Sequence, residues 1–160
     1  MTPQEAIRAT IDGCQVVVDA YLDDLTEAES LHRPAPGANH IRWQLGHLID
    51  NERKFNELLC PGVAPALPAG FSERYTPQTA QIDDGAQFDS LATLRELARQ
   101  QRAATLQILR DFPAEKLGEA SGIEYAPRWV DIFVIQGTHW LMHAGQWAVI
   151  RRQLGRPPLF

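Results

Sequence analysis

Histidine is the side chain in this sequence with the clearest chemical potential. Two of the five histidines stand close together in Thr138-His139-Trp140-Leu141-Met142-His143. In a helix, a spacing of four places two imidazoles on one face, one turn apart, where their nitrogens can converge on a single ion. Alone, that spacing is a weak signal, because isolated pairs are more often structural or exposed. The neighbourhood strengthens it: Ile132, Ile135, Trp147 and Ile150 recur in helical register, so His139 is expected to face an apolar interior. Buried imidazoles need hydrogen-bond partners or a metal, since unpaired buried polar groups are costly. No Asp or Glu follows Asp131 to pair with them locally.

A third ligand has to come from another segment, and His32, His40 and His47 are the candidates. His32 adjoins the Pro-rich stretch Arg33-Pro34-Ala35-Pro36-Gly37 and reads as a solvated loop residue. His40 falls in the first turn of a helix, where a cap or surface role is the simplest reading. His47 lies two turns inside that helix, in Trp43-Gln44-Leu45-Gly46-His47-Leu48, level with the middle of the His139 segment, and is the best third ligand. Three neutral imidazoles without a fourth protein ligand leave a coordination position open, as in catalytic rather than closed structural sites. Nitrogen donors suit Zn, Ni, Fe or Cu, and do not choose among them.

The elements that must position these residues are helical. Thr2, Pro3 and Glu5 form a capping-box start, followed by Ile7, Ile11, Cys14, Val18, Tyr21, Leu22 and Leu25 in steps of three and four. Asn39 is placed to cap a second helix running to about Leu59, before Cys60-Pro61-Gly62. A third helix is predicted from Ser90 to Phe112. A fourth starts at Pro127 and ends near Gly155-Arg156-Pro157-Pro158. No strand-like alternation of useful length appears. The expected class is all-α, a four-helix bundle in one domain spanning 1–160. Residues 61–86 carry Pro61, Pro65, Pro68 and Pro77 and make an unusually long connection, either a lid or a crossover along the bundle.

Composition limits the partners. Fifteen Lys and Arg against 20 Asp and Glu give a net charge of −5, which argues against nucleic acid. No apolar run approaches the ~18 residues of a membrane helix, and no basic-then-apolar start marks a signal peptide. Cys14 and Cys60 cannot build a disulfide framework and read as small buried residues, so the expected location is cytoplasmic.

The block Trp43-Gln44-Leu45-Gly46-His47-Leu48, the block from His139 to Trp147, and the ending Ile150-Arg151-Arg152-Gln153-Leu154-Gly155-Arg156-Pro157 resemble the DinB/YfiT-like superfamily. The resemblance covers nearly the whole chain. It implies an up-down-down-up four-helix bundle, with the long connection between helices two and three, often as a homodimer. It also implies a metal held by one His of helix two and a His-x-x-x-His pair of helix four, which fall on His47, His139 and His143. Its characterised members include transferases and isomerases using mycothiol, bacillithiol or glutathione. A related domain in ergothioneine sulfoxide synthases binds iron through His-x-x-x-His-x-Glu. Here Gly145 stands at the Glu position, which counts against that activity.

The expected function is therefore a metal-dependent S-transferase with a divalent ion (Zn, Ni or Fe), a small-molecule thiol and an electrophilic substrate. One alternative is a metal-dependent hydrolase with Glu52 as base, although Asp50 and Glu52 read as ordinary solvated helix residues. The other is a non-enzymatic bundle stabilised by its metal. Trp43, Trp140 and Trp147 read as core beside the ligands. Gln136 and Gln146 are candidate partners of the histidines, and Arg151, Arg152 and Arg156 complement a helix C-terminus.

Overall fold

The computed structural model describes residues 1–160, and the chain is mostly helical. Helix α1 (Pro3–Leu22) begins in the anticipated capping box. The Thr2 hydroxyl accepts from the Glu5 amide at 3.1 Å, and the Glu5 carboxylate accepts from the Thr2 amide at 2.7 Å. Its stripe of Ile7, Ile11, Cys14, Val18 and Leu22 is buried. The helix stops short of Leu25, which is buried from the following turn.

Helix α2 (Ile41–Leu59) is capped by His40, one residue later than expected: its Nδ1 accepts from the Trp43 amide at 3.0 Å. A nitrogen that accepts is unprotonated, so Nε2 carries the proton and donates to the Ile82 carbonyl at 3.3 Å. Burial pushes the His40 pKa down to about 4, with Arg33 adding to the shift, which keeps the ring neutral for this role. His40 is thus a buried cap rather than a surface residue.

The connection that follows is part of the core. It contains the single-turn helix α3 (Phe71–Arg74) and two short 3-10 turns. Phe71, Tyr75, Ala80 and Phe88 are buried in the same cluster as Trp43, Leu45, Leu48 and Ile49 of α2. The Tyr75 hydroxyl donates to the Asp89 carboxylate and accepts from the Asp89 amide, both at 3.0 Å, while Arg74 pairs with the same carboxylate. Gly46 makes this docking possible, because a Cβ there would overlap the Tyr75 ring.

Helix α4 (Leu91–Asp111) is capped by Ser90, whose hydroxyl accepts from the Thr93 amide at 3.1 Å. An antiparallel hairpin, β1 (Ala120–Ile123) and β2 (Ala126–Arg128), precedes helix α5 (Trp129–Gln153). The hairpin departs from the all-helical expectation. Its strands of four and three residues are too short for alternation to register.

Helix α1 packs on α5, where Gly137 lies against Ile11 and Cys14, and Arg151 donates to the Tyr21 carbonyl at 3.1 Å. Helix α2 packs on α4 and faces α5. Between α2, α4 and α5 lies a buried polar layer. Glu52 Oε1 accepts from the Thr105 hydroxyl at 2.6 Å and Oε2 from Arg102 at 3.0 Å, while Asn56 Oδ1 accepts from Gln136 at 3.0 Å and lies 3.0 Å from Thr105 Oγ1. The reading of Glu52 as a solvated residue is overturned, since it is 2% exposed. Arg151 and Arg156 also do more than complement a helix end. Arg151 is buried, and both side chains bind Asp24 just beyond α1. No helix is long and apolar enough to cross a membrane.

Candidate metal centre

Helices α2 and α5 both line the main core, to which α2 contributes Leu45 and Leu48 and α5 contributes Trp140 and Ala144. His47 of α2 meets His139 and His143 of α5. One nitrogen from each ring lies within 4.8 Å of the others, near enough to share one ion. The ring centroids are 5.4 Å apart for His47 and His139, 5.7 Å for His47 and His143, and 5.0 Å for His139 and His143. Trp43 stacks on His47 almost in parallel, at 5.2 Å and 4°. Trp43 is in turn anchored by its Nε1, which donates to Thr79 Oγ1 at 3.1 Å, so the long connection steadies the His47 ring.

His143 is oriented by Gln44, which no sequence pattern had singled out. The Gln44 amide nitrogen donates to the Asn39 carbonyl at 2.6 Å, which fixes the direction of the amide. Its Oε1 accepts from Trp147 Nε1 at 2.9 Å and lies 2.8 Å from His143 Nδ1. Indole nitrogen only donates, and a glutamine oxygen only accepts. His143 Nδ1 therefore carries the ring proton, and its Nε2 keeps a free lone pair. This is the tautomer a metal ligand requires, and an outer hydrogen bond to the second ring nitrogen is how such ligands are usually oriented.

A family model of the DinB superfamily matches residues 10–147, a span that includes the whole histidine cluster. The chain belongs to the DinB superfamily. Comparison with curated proteins and with solved structures gave no match.

The electrostatics of this DinB-superfamily chain keep the three rings uncharged. Burial pushes His139 and His143 down to about 4, with the neighbouring imidazoles contributing. Burial also lowers His47, against a raising influence from Asp50. Three neutral nitrogen donors with no carboxylate or thiol among them form a ligand set that fits a borderline divalent ion such as zinc, nickel or iron. A partly open cavity of about 550 Å3 adjoins His47 and His139. It is walled by Asn51 and Phe55 from α2, Ile135, Thr138 and Met142 from α5, and Tyr125 from the hairpin turn.

The other candidates lie elsewhere. His32 Nε2 is 2.9 Å from Gln153 Oε1. Gln136 belongs to the polar layer and Gln146 is exposed, so neither touches the imidazoles. Asp50 is buried, contrary to its expected solvation, and its two oxygens accept from Ser72 and Lys54, each at 2.6 Å. Burial raises the Glu52 carboxyl and Arg102 opposes that shift.

Proposed function

We propose that this chain is a metal-dependent S-transferase that joins a low-molecular-weight thiol to an electrophilic substrate, with His47, His139 and His143 as the metal ligands. The observation that carries the reading is the set of three neutral imidazoles, with no fourth ligating side chain, at the wall of a cavity large enough for a small molecule. A divalent ion held there (zinc, nickel or iron) supplies a Lewis acid that favours the thiolate over the thiol at neutral pH. The chain's own groups do the rest. Gln44 holds the His143 proton on Nδ1, Trp43 fixes the plane of His47, and the cavity walls orient the electrophile. The thiol sulfur forms a bond to the electrophilic carbon, the leaving group departs with its electron pair, and the thiol proton passes to solvent.

The accompanying architecture is an up-down-down-up four-helix bundle. Residue pairings support it, since numbers rise together from Ile11 with Gly137 to Tyr21 with Arg151. They also rise together along α2 and α4. Glu27 binds both Arg42 and the Leu91 amide, and Leu59 shares a cavity wall with Ile108 at the other end. Along α2 and α5 they run oppositely, from Gln44 with Trp147 to Asn56 with Gln136. A homodimer acting in the cytoplasm completes the reading.

Metal-activated hydrolysis is less well supported, because both oxygens of Glu52 are engaged by Thr105 and Arg102 within the buried polar layer. Metal-loaded protein should be incubated with mycothiol, bacillithiol or glutathione and a chromogenic electrophile. Thioether formation with at least one thiol, lost in His143→Ala, is expected. Inactivity with every thiol would refute the transferase reading and leave a metal-stabilised bundle.

A further inference from the structure

We propose that the cavity beside the three imidazoles is the subsite for the electrophile, and that it selects an uncharged, largely apolar molecule such as a substituted aromatic. The proposal rests on the transferase reading and adds the chemical class of the second substrate. About one residue in five of the chain is charged (22%), yet no Asp, Glu, Lys or Arg lines this open cavity. Its apolar walls come from three separate elements: Phe55 of α2, Ile135 and Met142 of α5, and Tyr125 of the hairpin turn. Tyr125 and Met142 are large apolar residues left exposed at the surface, so they are available to a ligand.

The polar groups of the lining, beyond the imidazoles, are also neutral. Thr138 spends its hydroxyl proton on the Val134 carbonyl at 3.2 Å and retains acceptor lone pairs. The Asn51 amide offers both donor and acceptor. Together they suit a carbonyl, nitro or hydroxyl oxygen. A carboxylate or sulfonate entering the same space would lose water and meet no cationic side chain of the lining, a penalty that uncharged ligands avoid. In the proposed reaction the thiol sulfur takes the metal position. The candidate thiols carry carboxylates or many hydroxyl groups. Their bodies are therefore expected to lie at the cavity mouth, with only the sulfur reaching the imidazoles.

The test compares two probes with one ring system, 2-naphthol and naphthalene-2-sulfonate, on metal-free protein near pH 7.5, with binding followed by probe fluorescence. No metal or thiol is present, so failure here is distinguishable from failure of the transferase reading, which is judged by thioether formation in metal-loaded protein. Naphthol is expected to bind at least about tenfold more tightly than the sulfonate. Met142→Lys, a change at an exposed position, should narrow or invert that ratio, and Tyr125→Ala should weaken naphthol binding. Equal or tighter sulfonate binding by the unmodified protein would overturn the proposal. So would a ratio untouched by Met142→Lys. Absence of binding by either probe, with sedimentation showing a dimer that Met142→Lys dissociates, would overturn it in favour of a second copy covering this face.

Discussion

Replacing Gln44 with Leu tests whether the outer hydrogen bond, and not merely the presence of three histidines, builds the cluster. The shape of the side chain is roughly kept while its amide is removed. Two buried donors, His143 Nδ1–H and Trp147 Nε1–H, lose their shared acceptor, and the Asn39 carbonyl loses a donor. Each stranded buried donor costs about 1–3 kcal/mol, and the part-buried Asn39 carbonyl can turn to solvent, so the metal-free protein should lose about 2–6 kcal/mol. That is a large share of the ~5–15 kcal/mol of an ordinary domain, so the urea midpoint should fall markedly. Metal affinity should fall about 10- to 100-fold, because nothing then holds the His143 proton on Nδ1. Urea unfolding in chelator measures the first effect, and zinc competition against a chromogenic chelator measures the second. Gln44→Glu keeps an acceptor oxygen and should recover most of the metal affinity while still losing the bond to Asn39. A Gln44→Leu protein with wild-type midpoint and wild-type zinc affinity would refute the tautomer reasoning.

Three further outcomes follow from the same contacts. Gly46→Ala, although favourable for an isolated helix, should destabilise by about 1–3 kcal/mol in thermal unfolding, because the new Cβ meets the Tyr75 ring. Arg102→Met strands the buried Glu52 carboxylate and should cost about 3–5 kcal/mol in urea, with part regained in the Glu52→Gln/Arg102→Met double variant. Stability of the metal-free protein should also depend on pH. His40, His139 and His143 protonate near about 4 when folded against 6.5 when unfolded, so between those values the unfolded chain binds more protons. Stability should therefore be fully present above about pH 6.5 and be lost progressively as pH falls toward 4. A urea midpoint that stays flat across that window would contradict the buried, neutral state of these rings.

The sequence was most informative where periodicity and chemistry coincide. The capping box at Thr2 and Glu5, the stripe from Ile7 to Leu22 and the Ser90 start of α4 were visible because local side chains satisfy local backbone groups. The meeting of His47 with His139 and His143 was also anticipated, from the spacing of four on the last helix, the depth of His47 along its own helix and the family resemblance. What stayed hidden depends on partners distant in the chain. Gln44 looks like any helix glutamine until His143 and Trp147 arrive from α5. Glu52 and Asp50 look solvated until Arg102, Thr105 and Ser72 supply their hydrogen bonds. The proline-rich connection gave no sign that Phe71 and Tyr75 would enter the core, because irregular segments have no period to read.

Whether the three imidazoles hold one ion is decided by elemental analysis of protein produced without a histidine tag, after reconstitution with zinc, nickel or iron(II) and removal of loosely held metal. About one divalent ion per chain is expected in the unmodified protein, with loss of tight binding in His47→Ala although that residue lies on a different helix from the other two. Protein that holds no ion with any of the three metals, or a His47→Ala variant that binds as tightly as the original, would contradict a site shared by the three imidazoles.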